Sequence, residues 1–437
     1  MAKSAQSTNV NERPYKEAGA FLKRKRKDMG YRTQKMYIKA LKEINPDISC
    51  SEPYISLIEK GVKTPALKLF NIMAEVLELT PTEKGELLLD YKRVPRDFEF
   101  AVRDNLKEAS RTTQMDRIRE EYDANPSLDT FKHLLTALVL QKETKEALEL
   151  LKKAPTFENE VQELQLRTAQ IASLSGNYEF AVPAFNLALA EAKTPETRAD
   201  IIRYLGIHYF QQGLHVQDDN PVHAMEFYLQ ALDAFTESLQ SLPEDIFVID
   251  EYARCAYNVG DVLQFLYKHK QLKKPAKKDY PHYAEAYGEW FNGRPTRSQV
   301  DARAHEFFEQ SRAHYEQVIQ SADRKPLPEK AMQEALFFHA YVYGKLERFE
   351  EARLFIHSNM LLKPNWLTLF MKSGLSIMEY ESKGDDAYLE QALDYLKEAA
   401  EENHENIRQM IQDEKQRELK PLWDARTQEM KRLLHAK

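Results

Sequence analysis

The sequence predicts an all-α protein, and three observations predict it. Glycine is scarce, at 13 of 437 residues, which argues against a loop-rich β architecture or a nucleotide-binding one. Apolar residues recur at spacings of three and four, as in Leu67, Phe70, Met73, Ala74 and Leu77, which places them on one face of a helix. The segments carrying this pattern open on residues that cap helices and close on glycine or polar turns. The length points to two or more domains. No apolar run approaches the ~20 residues of a membrane-spanning helix, so no membrane partner is expected. Only Cys50 and Cys255 are present. That excludes a disulfide framework and a cysteine-only zinc site, and it suits a reducing cytoplasm, the expected location.

Residues 1–14 are polar, lack the apolar stretch of a secretory signal, and read as a flexible arm. Residues 15–91 read as one small domain. A basic helix covers Ala18–Met29 and contains the run Lys23-Arg24-Lys25-Arg26-Lys27. A second helix opens at Thr33-Gln34 and runs through Met36, Ile38, Ala40 and Leu41 to a polar turn at Asn45-Pro46-Asp47. A third opens at Ser51, a good N-cap, with Pro53 in the first turn, where its missing N–H costs nothing, and stops at Gly61. Ile55 and Ile58 would pack inward. Glu52, Pro53, Ser56 and Leu57 would face out, as a reader of the DNA major groove requires. Helices over Ala66–Leu77 and Thr82–Leu89 complete five.

The string Tyr54-Ile55-Ser56-Leu57-Ile58-Glu59-Lys60-Gly61, followed by Lys63-Thr64-Pro65-Ala66, resembles the signature of the Xre, or phage-repressor, helix-turn-helix family. Thr33-Gln34 is similar to that family's opening of helix two. The resemblance implies a lambda-repressor-like helix-turn-helix domain that binds duplex DNA as a homodimer. By it, Lys23, Arg24, Arg26 and Gln34 are expected at phosphates, and Glu52, Pro53 and Leu57 at bases. Arg32, Thr33, Ser51, Tyr54, Ser56, Lys60 and Lys63 surround them. The segment Lys42–Cys50 is longer than the family's usual turn, and the base-facing positions are not the Arg, Gln or Asn of bidentate contacts. Charge agrees with a DNA-binding head. Met1–Lys68 carries 15 Lys and Arg against 7 Asp and Glu, while the whole chain is at −7, so the remainder is acidic.

Residues 92–127 read as a linker followed by a charged connecting helix over Ala101–Tyr122. From 128 to 402 helical hairpins recur. They are Phe131–Gln141 with Thr144–Lys153, Val161–Leu174 with Phe180–Ala192, and Thr197–Gln212 with Val222–Leu242. A fourth begins at Ile246–Tyr267, and Lys330–Lys345 with Phe349–Asn359 and Trp366–Ser382 with Tyr388–Glu402 follow. Ala172, Gly176, Tyr178 and Ala181 resemble a tetratricopeptide repeat, as in part do Ala340, Phe349 and Ala352. That implies an α-solenoid with a concave groove; an irregular helical bundle is the other reading. The stretch 266–298 mixes lysines with Tyr280, Tyr283, Tyr287 and Trp290. It reads as a ligand pocket, a partner or nucleic-acid surface, or a packed elaboration. The tail, 403–437, is charged and helical, fit either to cap the solenoid or to dock a second subunit.

No catalytic constellation, phosphate-binding glycine loop or metal-ligand spacing occurs, so neither an enzyme nor a cofactor is expected. A helix-turn-helix head on a repeat body resembles the peptide-responsive quorum-sensing regulators. That implies transcription regulation, with a short signalling peptide or protein partner in the groove and Arg203, Arg254 and Asn258 as its contacts. The alternative is a tetratricopeptide-like adaptor whose vestigial head binds protein.

Overall fold

Side-chain caps and one glycine set the N-terminal helices. The computed structural model describes residues 15–46, 48, 50–91, 105–106, 108–111, 114–153, 161–272, 278–292, 295–321, 329–359, 365–413 and 419–435. Among them every regular element is a helix. The first five are α1 (Lys16–Asp28), α2 (Gln34–Ile44), α3 (Glu52–Glu59), α4 (Leu67–Val76) and α5 (Pro81–Asp90). The Thr33 hydroxyl accepts from the Met36 N–H at 3.2 Å to cap α2, and Ser51 accepts from Tyr54 at 3.4 Å to cap α3. Thr80 and Glu83 exchange hydrogen bonds at the start of α5. Each cap satisfies a backbone donor that a first helical turn leaves unpaired. Gly61 follows α3 at φ +69°, where a Cβ would stand 2.3 Å from the Tyr15 carbonyl oxygen. Only glycine lets the end of α3 meet the start of α1 this closely. Leu22, Tyr37, Leu41, Ile55, Ile58, Phe70 and Leu88 form the buried core beneath these helices.

The expected arm, 1–14, and the linker, 92–100, lie outside the described residues. The connecting helix expected over 101–122 is not one helix. Residues 105–106 and 108–111 are helical, Gln114 leaves the helical region at ψ 87°, and α6 (Met115–Ala124) starts after it. The first piece is held by its neighbours. Leu106 is buried against Gly85 of α5, the Ser110 hydroxyl donates to the Leu140 carbonyl at 3.2 Å, and the Gln141 side chain donates to the Ser110 carbonyl at 2.6 Å.

Two hairpins follow, α7 (Leu128–Leu140) with α8 (Thr144–Leu151) and α9 (Val161–Ser175) with α10 (Tyr178–Ala190). The turn between α9 and α10 ties them together. Gly176 takes φ +76°, and the buried Asn177 donates to the Val139 carbonyl at 3.1 Å while accepting from the Thr144 hydroxyl at 3.2 Å. Contacts divide the chain between Ala192 and Lys193. The boundary falls within the stretch 128–402 that the sequence reads as helical repeats. The hairpins α7–α8 and α9–α10 fall in the first unit.

The second unit contains α11 (Pro195–Val216), α12 (Pro221–Ser241), α13 (Ile246–Lys268), α14 (Pro281–Tyr287), α15 (Arg297–Ser321), α16 (Glu329–Lys345) and α17 (Phe349–Asn359). It ends with α18 (Asn365–Lys383), α19 (Ala387–Glu402), α20 (His404–Asp413), α21 (Lys420–Ala425) and α22 (Thr427–His435). The hairpins are α11–α12, α13–α15, α16–α17 and α18–α19. Glycines sit where partners cross. A Cβ on Gly206 would meet the Phe235 ring at 2.7 Å, one on Gly213 the Tyr228 ring at 2.4 Å, and one on Gly260 the Phe308 ring at 2.6 Å. Tyr228 is fully buried. Gly213→Ala is therefore expected to lower stability by about 1–3 kcal/mol through overpacking. Thermal melting checks this, and an unchanged midpoint would mean that the ring swings aside freely.

The insertion between α13 and α15 is, in its described part, a packed elaboration. Tyr283 and Tyr287 are buried in the core of this unit. Glu226 of α12, itself 2% exposed, anchors the start of α14. Its Oε1 accepts from the His282 N–H at 3.2 Å, His282 Nδ1 at 2.7 Å and the Gln230 amide at 3.0 Å, and its Oε2 accepts from the Tyr283 N–H at 2.8 Å. The tail caps the last hairpin. Leu422, Trp423 and Met430 are buried with Leu389, Leu393 and Leu396 of α19.

Candidate nucleic-acid interface

The head's open cleft lies over the joint of three helices. It has a volume of about 310 Å³ and is lined by Lys23 and Arg26 of α1, Arg32, Gln34 at the start of α2, Glu52, Ser56 and Glu59 of α3, and Lys60. Its floor is a buried ion pair. Arg26 Nε donates to Glu59 Oε1 at 2.5 Å and its Nη2 to Glu59 Oε2 at 3.2 Å, with Nη1 on the Tyr31 carbonyl. Gln34 adds its amide to Glu59 Oε2 at 2.9 Å. One carboxylate thus joins the end of α3 to α1 and to the first residue of α2.

Around this floor the charge is free. Lys23, Arg32 and Lys60 are exposed and, among the described residues, form no ion pair. Glu52 and Pro53 are exposed and Ser56 and Leu57 half-buried, while Ile55 and Ile58 are fully buried, so α3 turns outward the face read from its sequence. Lys63 is exposed beyond the end of α3, and exposed Arg24 lies 5.5 Å from the Phe21 ring.

Five of the residues expected to touch DNA have structural roles. Arg26 was expected at a phosphate. It is only 3% exposed, and its guanidinium is held by Glu59 and the Tyr31 carbonyl, which corrects that expectation. The Tyr54 hydroxyl donates to the Thr64 carbonyl at 3.1 Å and braces the loop after α3. Gln34 has its amide nitrogen on Glu59, leaving its oxygen for the cleft. Thr33 and Ser51 are exposed caps with hydroxyls on backbone N–H groups. Within the basic run, Lys25 also pairs internally, with Glu83 at 2.8 Å. No protein-family model matches this chain, and no curated protein matches it. Glu59 is the cleft residue that sequence reasoning missed. Its signal was present: four residues after Ile55, it lies on the inward face of α3.

In the second unit the three expected peptide contacts separate. Arg203 is 2% exposed, pairs with Asp200 at 2.7 Å and stacks on Tyr204 with its guanidinium carbon 4.4 Å from the ring centre. That burial corrects its assignment to a ligand surface. Arg254 and Asn258 do share one face of α13. The Arg254 guanidinium stands 5.3 Å from the Phe210 ring and 5.5 Å from the Phe338 ring. Asn258 donates to the Arg254 carbonyl at 2.8 Å, and both side chains are half-buried. Among the described residues, no helix is long and apolar enough to cross a membrane, and no three His, Cys, Asp or Glu side chains are grouped to hold a metal ion.

Proposed function

We propose that this chain is a DNA-binding transcription regulator with a lambda-repressor-like helix-turn-helix head and a tetratricopeptide-like body. The observation that carries the reading is the cleft beside α3, where Lys23, Arg32 and Lys60 stand unpaired next to an exposed helix N-terminus. Free cations at that place suit phosphates on either side of a major groove, and α3 is short enough to enter one. A single two-turn helix covers few base pairs, so the protein acts as a homodimer on two half-sites. The body supplies the dimer contact and the sensing surface. Arg254 and Asn258, offering cationic and amide groups between aromatic rings, receive a short peptide or a partner's helix. Such a ligand regulates DNA binding only by preferring one arrangement of the paired heads.

Gel shifts with full-length protein and duplex fragments from beside its own gene test the reading. With three phosphate contacts from each of two heads, affinity is expected to fall about a thousandfold between 50 and 200 mM salt. Folded protein that retains no duplex at 50 mM salt would overturn the DNA-binding reading and favour an adaptor whose head binds protein.

A further inference from the structure

Glu52 has the wrong sign for a phosphate cleft. It is the first residue of α3, it is exposed, and it lines the cleft beside Lys23, Arg32 and Lys60. Among the described residues it makes no side-chain hydrogen bond and no ion pair, so none of these cations neutralises it. An acid in a first helical turn gains from the helix dipole. That gain is small and would be erased by repulsion from a duplex backbone unless the carboxylate finds a donor there.

We propose that Glu52 determines base specificity, selecting cytosine by accepting a hydrogen bond from its N4 amino group in the major groove. The inference rests on the DNA-binding reading above. An ionised carboxylate only accepts. In the major groove guanine offers N7 and O6, both acceptors, and thymine offers O4 and a methyl group. A carboxylate is repelled by guanine and unsatisfied by thymine. Adenine offers an N6 donor, but beside the N7 acceptor, whereas cytosine offers N4 with no acceptor next to it on the same base. Placed among free cations that reach phosphates, Glu52 acts as much by exclusion as by bonding. It weakens every register of α3 except the one that puts cytosine beneath it. Position supports the assignment. Ser56, one turn further along α3, lines the same cleft, so the carboxylate projects from the surface that α3 offers to a ligand. Its exposure also means that replacing it leaves the packing of the head intact.

The test is selection of duplexes from a random pool at low salt by the full-length protein, by Glu52→Gln and by Glu52→Ala. The unaltered chain is expected to enrich sites sharing one invariant cytosine. Glu52→Gln moves that position to adenine, because a glutamine amide donates to N7 and accepts from N6, and leaves the other positions unchanged. Glu52→Ala leaves the position degenerate. The relative affinity for the cytosine and adenine duplexes should change roughly ten- to a hundredfold between the unaltered chain and Glu52→Gln. If all three proteins enrich the same sites, or the two variants bind every site more tightly by one common factor, the carboxylate does not read bases and the proposal fails. Loss of all duplex binding by the unaltered chain is a separate result, which overturns the DNA-binding reading and this inference with it.

Discussion

Glu59→Gln is expected to destabilise the head by about 3–5 kcal/mol, because it leaves the Arg26 cation buried without its counter-charge. Both side chains of this pair are only 4% exposed. Removing both charges together should behave differently. An Arg26→Met, Glu59→Leu double variant keeps the packing and relieves the desolvation of two ions, so most of the loss is expected to return. Urea unfolding followed by exchange of the head's amides measures both. A loss below about 1 kcal/mol for Glu59→Gln would show that the pair is open to water in solution and contributes as little as a surface bridge. The same variants separate structure from binding. Arg26 faces Glu59, so the double variant should keep the salt dependence of DNA binding. Lys60→Ala, which removes one phosphate contact from each of the two heads, should reduce the slope of log affinity against log salt by about two.

Acid is expected to weaken the second unit between pH 6.5 and 4, with the loss beginning well above the range where surface carboxylates titrate. His208 and His339 are buried, at 0% and 3% exposure, and burial pushes the pKa of each down to about 4. In the unfolded chain both return to about 6.5. As pH falls through this window the unfolded state takes up protons that the folded state refuses, so stability is complete above pH 6.5 and is lost on acidification. At pH 5 the two together account for about 4 kcal/mol. Denaturant titrations of the full chain from pH 7.5 to 5 measure the loss. The ring nitrogens of His339 have no hydrogen-bond partner among the described residues, so His339→Phe removes a titrating group without stranding a neighbour. That variant should remove about half of the pH dependence. Melts that stay level down to pH 5 would mean that these rings reach water and stay protonatable in the fold.

The helices were legible in the sequence where local chemistry determines them. Thr33 and Ser51 cap as read, Gly61 takes positive φ where α3 was expected to stop, and the hairpin helices start and stop within about a turn of their expected ends. Seven of the eight side chains that line the cleft, all but Glu59, are ones named individually from the sequence. What each of them does was less legible. Arg26 sits in a run of five cations that reads as a uniform solvated face, yet it falls four and eight residues after Leu22 and Ala18, on the stripe that packs inward. Arg203 was hidden for the opposite reason. α11 is buried on most of its sides, among them Ile201, Ile202, His208, Phe210 and Gln211, so no single polar face marks what is open to a ligand. The division at Ala192 depends on contacts between segments far apart in sequence, and no composition shift announces it.

The anchoring of α14 by Glu226 has a consequence for how the second unit breathes. A helical insertion between the two arms of a hairpin looks like a detachable decoration, able to lift away while the frame stays folded. Here detachment would strip the Glu226 carboxylate of the His282 and Tyr283 donors while leaving it rooted in α12. Glu226, 2% exposed, would keep only the Gln230 amide of its four donors, and Tyr283 and Tyr287 would leave their own voids behind. The low-energy route is for α14 and the centre of α12 to open together, as one cooperative block rather than as a flap on a fixed wall. The insertion then works as a keystone, and its removal would loosen the arch it was added to.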